Sequence, residues 1–284
     1  MISEPIFIFT FLYLQKKGLF NMNIQFGACT SLLNAPLICE AGGAHIEANF
    51  MVYTNMSEEQ FIHERDVLHS TPLTVVSMNN MLPSNFVIYG TEEQTQEICD
   101  FVCRGLKRAA ALGCKTVCMG AGGVRNIPDG MSRDEAIDRF VALVARFCAM
   151  AAEYDIKIAL EPIRSEETNF INSVGDAYDI IRRLPECKNL GINPDMYHMY
   201  EDGDDFSNLV KYKDYVFNIH MAEPSTRVYP KPGSQKIESL YIQFLTALKD
   251  AGYTGNISME AHIKDFKEDA TATFKYLGDL AANI

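Results

Sequence analysis

Four residues of metal-binding or proton-transfer type close four short apolar runs in the second half of the chain. KIALEP ends at Glu161, LGINPD reaches Asp195, VFNIH ends at His220 and NISME ends at Glu260. They follow one another at spacings of 34, 25 and 40 residues, each fitting one strand-plus-helix unit. Three carboxylates brought to one point repel and raise each other's pKa, and a divalent cation removes that conflict. One imidazole with three carboxylates suits Mn²⁺, Co²⁺ or Mg²⁺ better than a thiolate-rich zinc set would, with Zn²⁺ still possible. A single acid at a strand end is commonly a loop cap or a surface group. Four metal-type residues on four consecutive strand ends are far harder to obtain by chance. The chemistry on offer is activation of an oxygen-bearing small molecule, with carboxylates at hand to move protons.

The elements that must position these residues repeat from residue 22 onward. Short runs rich in Ile, Val, Phe and Ala predict strands over 24–28, 44–48, 73–77, 116–119, 157–160, 190–193, 216–220 and 256–260. They show little strict alternation, as strands buried on both faces should. Helical periodicity predicts helices over 91–112, 132–154, 173–184, 234–251 and 265–282. Thr91 with Gln94, and Ser132 with Glu135, form capping-box patterns, while Gly113 and Gly252 stand where helix C-caps belong. Eight such units with right-handed crossovers predict an α/β fold of the closed (β/α)8 TIM barrel type, with an open doubly wound sheet as the competing architecture. No linker, charge block or short repeat divides the chain, so residues 22–284 form one domain. Residues 1–21 carry an acid at Glu4 and no basic stretch before their apolar run, unlike a signal peptide. They are an N-terminal extension, either from a start placed too early, with Met22 opening the domain, or a short cover for the barrel bottom.

The motifs ALEPIRSEETNFINS, GINPDMYH, NIHMAE and SMEAH resemble those of the xylose isomerase-like TIM barrels, a superfamily of sugar and sugar-phosphate isomerases and epimerases. The nearest branch is the D-tagatose and D-psicose 3-epimerase type. The resemblance runs over residues 23–282 and is densest from 157 to 262. It implies that Glu161, Asp195, His220 and Glu260 bind one divalent metal, and that Glu161 and Glu260 also act as the acid and base. It further implies substrate contacts from His198, Glu167 and Arg227. Two features depart from the branch: Arg164 and Ser165 stand where an Asn-Arg pair is usual, and the chain has no Trp. His220, in turn, departs from the Gln typical of hydroxypyruvate isomerases.

The chemistry is coherent apart from the resemblance. A metal on a carbonyl oxygen and its neighbouring hydroxyl stabilises the enediolate left when the adjacent carbon loses a proton. A carboxylate on one face removes that proton and one on the other returns it, inverting the centre. Glu161 and Glu260, on strands 5 and 8 across the barrel mouth, suit these two tasks; in the alternative both are ligands only and another group moves the proton. The expected enzyme is therefore a divalent-metal-dependent isomerase of the ketose 3-epimerase kind in carbohydrate metabolism. A lyase of the inosose or dehydroshikimate dehydratase type on the same site is the alternative.

Charge and composition narrow the partners. A net charge of −12 over 284 residues disfavours nucleic acid, and the extra metal ligands of endonuclease IV-type barrels are absent from SMNN, MGAG and TRVY. The longest apolar run, Ile6 to Leu14, is too short to span a bilayer. The partner is a small sugar or polyol-ketone, and a homo-oligomer is compatible with the sequence. The eight cysteines include no CxxC pair and sit mostly in apolar stretches, which reads as reduced core thiols in a cytoplasmic protein. Glu47, ending strand 2, points to the same rim as a candidate substrate contact, with His45 in the core. The Gly-rich turn from Met119 to Arg125 either cradles an anion or simply needs positive φ. His63 and His69 read as surface residues, and His262 as either a neighbour of the metal ligands or a plain loop residue.

Overall fold

The computed structural model describes residues 23–284, so the expectation for residues 1–21 lies outside the described residues. Eight parallel strands form the centre: β1 Gln25–Cys29, β2 Ile46–Asn49, β3 Val75–Asn79, β4 Thr116–Met119, β5 Lys157–Leu160, β6 Leu190–Ile192, β7 Ile219–Met221 and β8 Asn256–Met259. Each matches an expected strand, and β4 and β5 match to the residue. β1 pairs with β8 from Gln25–Asn256 to Ala28–Met259, which an open doubly wound sheet would not do. The remaining seam, β6 to β7, is closed by the parallel bridges Ile192–Val216 and Asp195–His220. The ring is a (β/α)8 barrel, with its strands covered by helices outside and filled by side chains inside.

The helices begin where short polar side chains can satisfy the free N–H groups of a first turn. Thr91 and Gln94 cap helix Glu92–Ala111 reciprocally, and Ser173 and Asp176 do the same for Val174–Ile181. Ser132 accepts from the Glu135 N–H at the head of helix Arg133–Ala152, while the return bond of a full capping box is not made. Ser234 and Asp265 cap helices Gln235–Asp250 and Phe266–Asn283. Gly113 and Gly252, at φ 74° and 70°, carry the chain out of two helices in the left-handed region. A further helix, Glu58–His69, carries His63 and His69, both exposed.

Cys99, Cys114, Cys118 and Cys148 are buried, whereas Cys39 is exposed, so the core-thiol expectation does not extend to every cysteine; none is in a disulfide. Among the described residues no helix is long and apolar enough to cross a membrane.

Candidate metal centre and active site

The four strand-end residues converge. One ligand atom each from Glu161, Asp195, His220 and Glu260 lies within 4.8 Å of all the others. Ladder hydrogen bonds set their backbones: Glu161 N–H donates to Met119 O (3.1 Å), His220 N–H to Pro194 O (3.0 Å) and Glu260 N–H to Met221 O (3.2 Å). Asp195 is also the N-cap of the short helix Met196–Asp202, where its Oδ1 accepts from Tyr197 N–H at 2.9 Å. That bond turns its other oxygen inward. His220 Nδ1 stands 2.8 Å from Glu161 Oε1 and 3.6 Å from Glu260 Oε2, so the two glutamates meet around one imidazole. Gly120 makes room for this, since a Cβ there would stand 2.3 Å from Glu161 Oε2.

Beneath the quartet the barrel interior is polar. Glu47 is fully buried, 2.7 Å from His220 Nε2, and accepts from Ser77 Oγ (2.6 Å) and Asn218 Nδ2 (3.0 Å). The expected substrate contact by Glu47 is corrected by this placement: both its oxygens are engaged and sealed below the rim. Glu47 instead orients His220, accepting its Nε2–H so that Nδ1 faces the three carboxylates. Burial alone would raise the Glu47 pKa, but His220 and the hydroxyl donors outweigh it and hold the pKa at about 2. His45 is in the core as expected, 3.0 Å from Ser258 Oγ.

At the rim, His198 is nearly sealed, with Nδ1 accepting from Arg164 N–H at 3.4 Å and Nε2 3.7 Å from Asp195 Oδ2. Burial, then the charges of Arg227 and His220, depress its pKa to about 2, so the ring is neutral with its proton on Nε2. Arg227 donates to Glu260 Oε2 at 2.9 Å, lies 3.7 Å from Glu167 and sits 4.9 Å over the Tyr197 ring. Glu167 is held by Arg164 at 2.8 Å. The structure thus brings His198, Glu167 and Arg227 to the edge of the quartet. Arg227 adopts φ 53°, a strained setting for a non-glycine residue and one typical of functional loops. His262 is an exposed residue whose N–H donates to Arg227 O (2.7 Å).

Two polar residues went unnoticed in the sequence. Asn79 Nδ2 donates to Glu260 Oε1 at 2.6 Å, so Asn79 and Arg227 hold both Glu260 oxygens. Asn79 ends β3 as the ligands end their own strands, and that position was the available signal. Asn193, whose Nδ2 lies 3.0 Å from His220 Nδ1, follows β6 directly.

The donor set fits a divalent cation. Among the described residues Asp195 Oδ2, which is buried, has no hydrogen-bond partner. Burial, with the charges of Glu161 and Glu260, pushes the Asp195 pKa up to about 7. Glu161 is raised as well, by burial and by Glu260. Three carboxylates thus crowd one point with Arg227 paired to Glu260 alone among them, and a divalent ion would compensate the charge that burial penalises.

A family model for the xylose isomerase-like TIM barrel matches residues 37–277. An inosose isomerase of Halalkalibacterium halodurans is 28% identical over 131 residues, 42% of this chain and 44% of that protein. A ketose 3-epimerase of Arthrobacter globiformis is 32% identical over 121 residues, 42% of this chain and 40% of that protein. The chain thus spans less than half the length of each of these two curated relatives. The solved structure of the IOLI protein with a bound zinc atom superposes with a TM-score of 0.71 at 18% identity, covering 91% of this chain and 98% of that one. With the closed barrel and the match over most of its length, the chain belongs to the xylose isomerase-like TIM barrel family.

Proposed function

We propose that the protein is a divalent-metal-dependent isomerase that inverts the stereocentre next to the carbonyl of a ketose or polyol-ketone, or shifts that carbonyl to the neighbouring carbon. The observation that carries this reading is the meeting of Glu161, Asp195, His220 and Glu260 at the C-terminal ends of four strands. The partial matches to an inosose isomerase and a ketose 3-epimerase support the substrate class. A cation held by the four residues would supply Lewis-acid polarisation of two adjacent substrate oxygens. One of Glu161 and Glu260 takes the proton from the carbon beside the carbonyl, leaving an enediolate, and the other returns a proton to that carbon. Asn79 and Arg227 fix the angle of Glu260 for this task, and Glu47 holds His220 in place. His198, neutral and with its Nε2 proton beside the quartet, donates to a substrate oxygen, while Arg227 and Glu167 bind hydroxyls at the rim.

The test is incubation of Mn²⁺-loaded protein in D₂O with a panel of ketoses and inososes, followed by NMR. Deuterium at the carbon beside the carbonyl, together with epimer or isomer, is the expected result. Loss of water with no epimer would replace this reading by a dehydratase on the same residues. E161Q and E260Q should each nearly abolish turnover, and one of them should still exchange deuterium, because half of the proton transfer survives.

A further inference from the structure

Arg125 has the bulkiest fully buried side chain among the described residues. Burying a guanidinium is costly unless a counter-charge and good hydrogen bonds compensate it. Among the described residues no carboxylate stands within ion-pair distance of it, and its Nε and Nη2 have no hydrogen-bond partner. Its bonds go elsewhere. Nη1 donates to the main-chain carbonyl of Glu161 at 2.8 Å and reaches that of Met119 at 3.4 Å. Met119 O also accepts the Glu161 N–H, so one guanidinium nitrogen and one carbonyl grip the backbone on both sides of Glu161.

The loop is shaped to deliver this side chain. Ala121, at φ 51°, turns the chain after β4, and a short 3-10 turn over Gly123–Arg125 brings the arginine back. Tyr89 OH donates to Arg125 O at 3.1 Å and ties the loop to the one following β3. Gly120, in the same loop, leaves the space that the Glu161 carboxylate fills.

We infer that Arg125 is the positioning residue for Glu161: its Nη1 clamps the Met119 and Glu161 carbonyls so that the Glu161 carboxylate faces the quartet. The inference rests on the proposed metal-dependent reading of that quartet, but its deciding measurement, metal affinity, needs no sugar. It separates geometry from charge. Removing a nearby positive charge by itself tightens cation binding. Weaker binding must then come from loss of the clamp.

The experiment measures Mn²⁺ affinity of metal-stripped wild type, R125K and R125M by calorimetry, with thermal melts to verify folding. A lysine can offer one nitrogen to both carbonyls, as the native Nη1 does; methionine fills similar space with no donor. R125M should bind Mn²⁺ about 10–100-fold more weakly, the usual cost of losing a residue that orients a ligand. R125K should stay within roughly threefold of wild type. Under saturating Mn²⁺, R125M should lose kcat more than it changes KM. Unchanged or tighter Mn²⁺ binding in R125M, or equal weakening in R125K, overturns the inference. If R125M does not fold, R125L, which likewise has no donor, takes its place with the same criteria. Wild type that binds no divalent ion would overturn the site reading and this inference together. Failure of deuterium exchange with intact Mn²⁺ binding would overturn the proposed function alone.

Discussion

His198 and Gly120 test the site through single side chains. His198 is a neutral donor held by the Arg164 N–H, with its Nε2 3.7 Å from Asp195 Oδ2. Its replacement should cost turnover rather than folding. H198A is expected to lower kcat by about 10²–10⁴-fold, the range for losing a group that assists proton transfer. Unchanged kinetics on the true substrate would leave His198 a packing residue. At Gly120, any side chain must displace the Glu161 carboxylate, because the new Cβ would stand 2.3 Å from Oε2. G120A should therefore weaken Mn²⁺ binding by at least about tenfold while remaining folded. Wild-type affinity in G120A would mean that Glu161 is not confined as described.

Strands and helices contribute through their ends and through the pleat between them. Asp195 caps a helix with one oxygen and offers the other to the quartet, so a routine capping interaction becomes the aiming device for a ligand. Between β1 and β8, His45 occupies space that Gly27 leaves open; a Cβ at Gly27 would lie 2.4 Å from the His45 carbonyl. Burial depresses the His45 pKa from 6.5 to about 4, against a smaller opposing effect of Glu47. Because the folded-state pKa lies below the unfolded value, the neutral ring stabilises the fold fully above pH 6.5. That contribution is lost as the pH falls toward 4, by an amount on the order of 3 kcal/mol. H45Q should thus show a shallower fall in Tm between pH 7 and pH 4.5 than wild type, both stripped of metal. Parallel pH profiles for the two proteins would contradict the assignment.

For the barrel as a unit, cation binding and folding are linked. Burial opposes protonation of His220, but Glu47, Glu161 and Glu260 overcome it and raise its pKa well above 6.5. Asp195 sits at about 7. At pH 7 both therefore hold protons that a bound cation must displace. Mn²⁺ uptake should release about one to two protons, measurable by calorimetry in buffers of different ionisation enthalpy. At a hundred times its Kd the ion should stabilise the fold by about 2.7 kcal/mol. That corresponds to a rise in Tm of about 4–5 °C for a chain of this size. No proton release and no thermal shift with Mn²⁺, Co²⁺, Mg²⁺ or Zn²⁺ would remove the metal centre from this protein.

Local pattern was enough for the barrel and for the candidate ligands. Strand periodicity and capping residues act over a few positions, so runs such as 116–119 and 157–160, and the caps Thr91 and Ser132, were legible one segment at a time. The fold then sends every strand end to one rim, which is why Glu161, Asp195, His220 and Glu260 could be grouped before any distance was known. The same logic misjudged Glu47: a strand-end position does not say whether a side chain stands at the rim or turns beneath it. Its burial depends on Ser77, Asn218 and His220, residues 30 to 173 positions away. Arg125 was visible only as an arginine after a Gly-rich turn; that it reaches the Glu161 carbonyl depends on the course of the loop and on Tyr89. Sequence thus sufficed for the elements, their order and the chemical types at the strand ends, because those follow from short-range periodicity and steric rules. Tertiary structure decided which carboxylates are buried, which donors hold them and which ring nitrogen faces the centre, because those depend on distances between strands far apart in the chain.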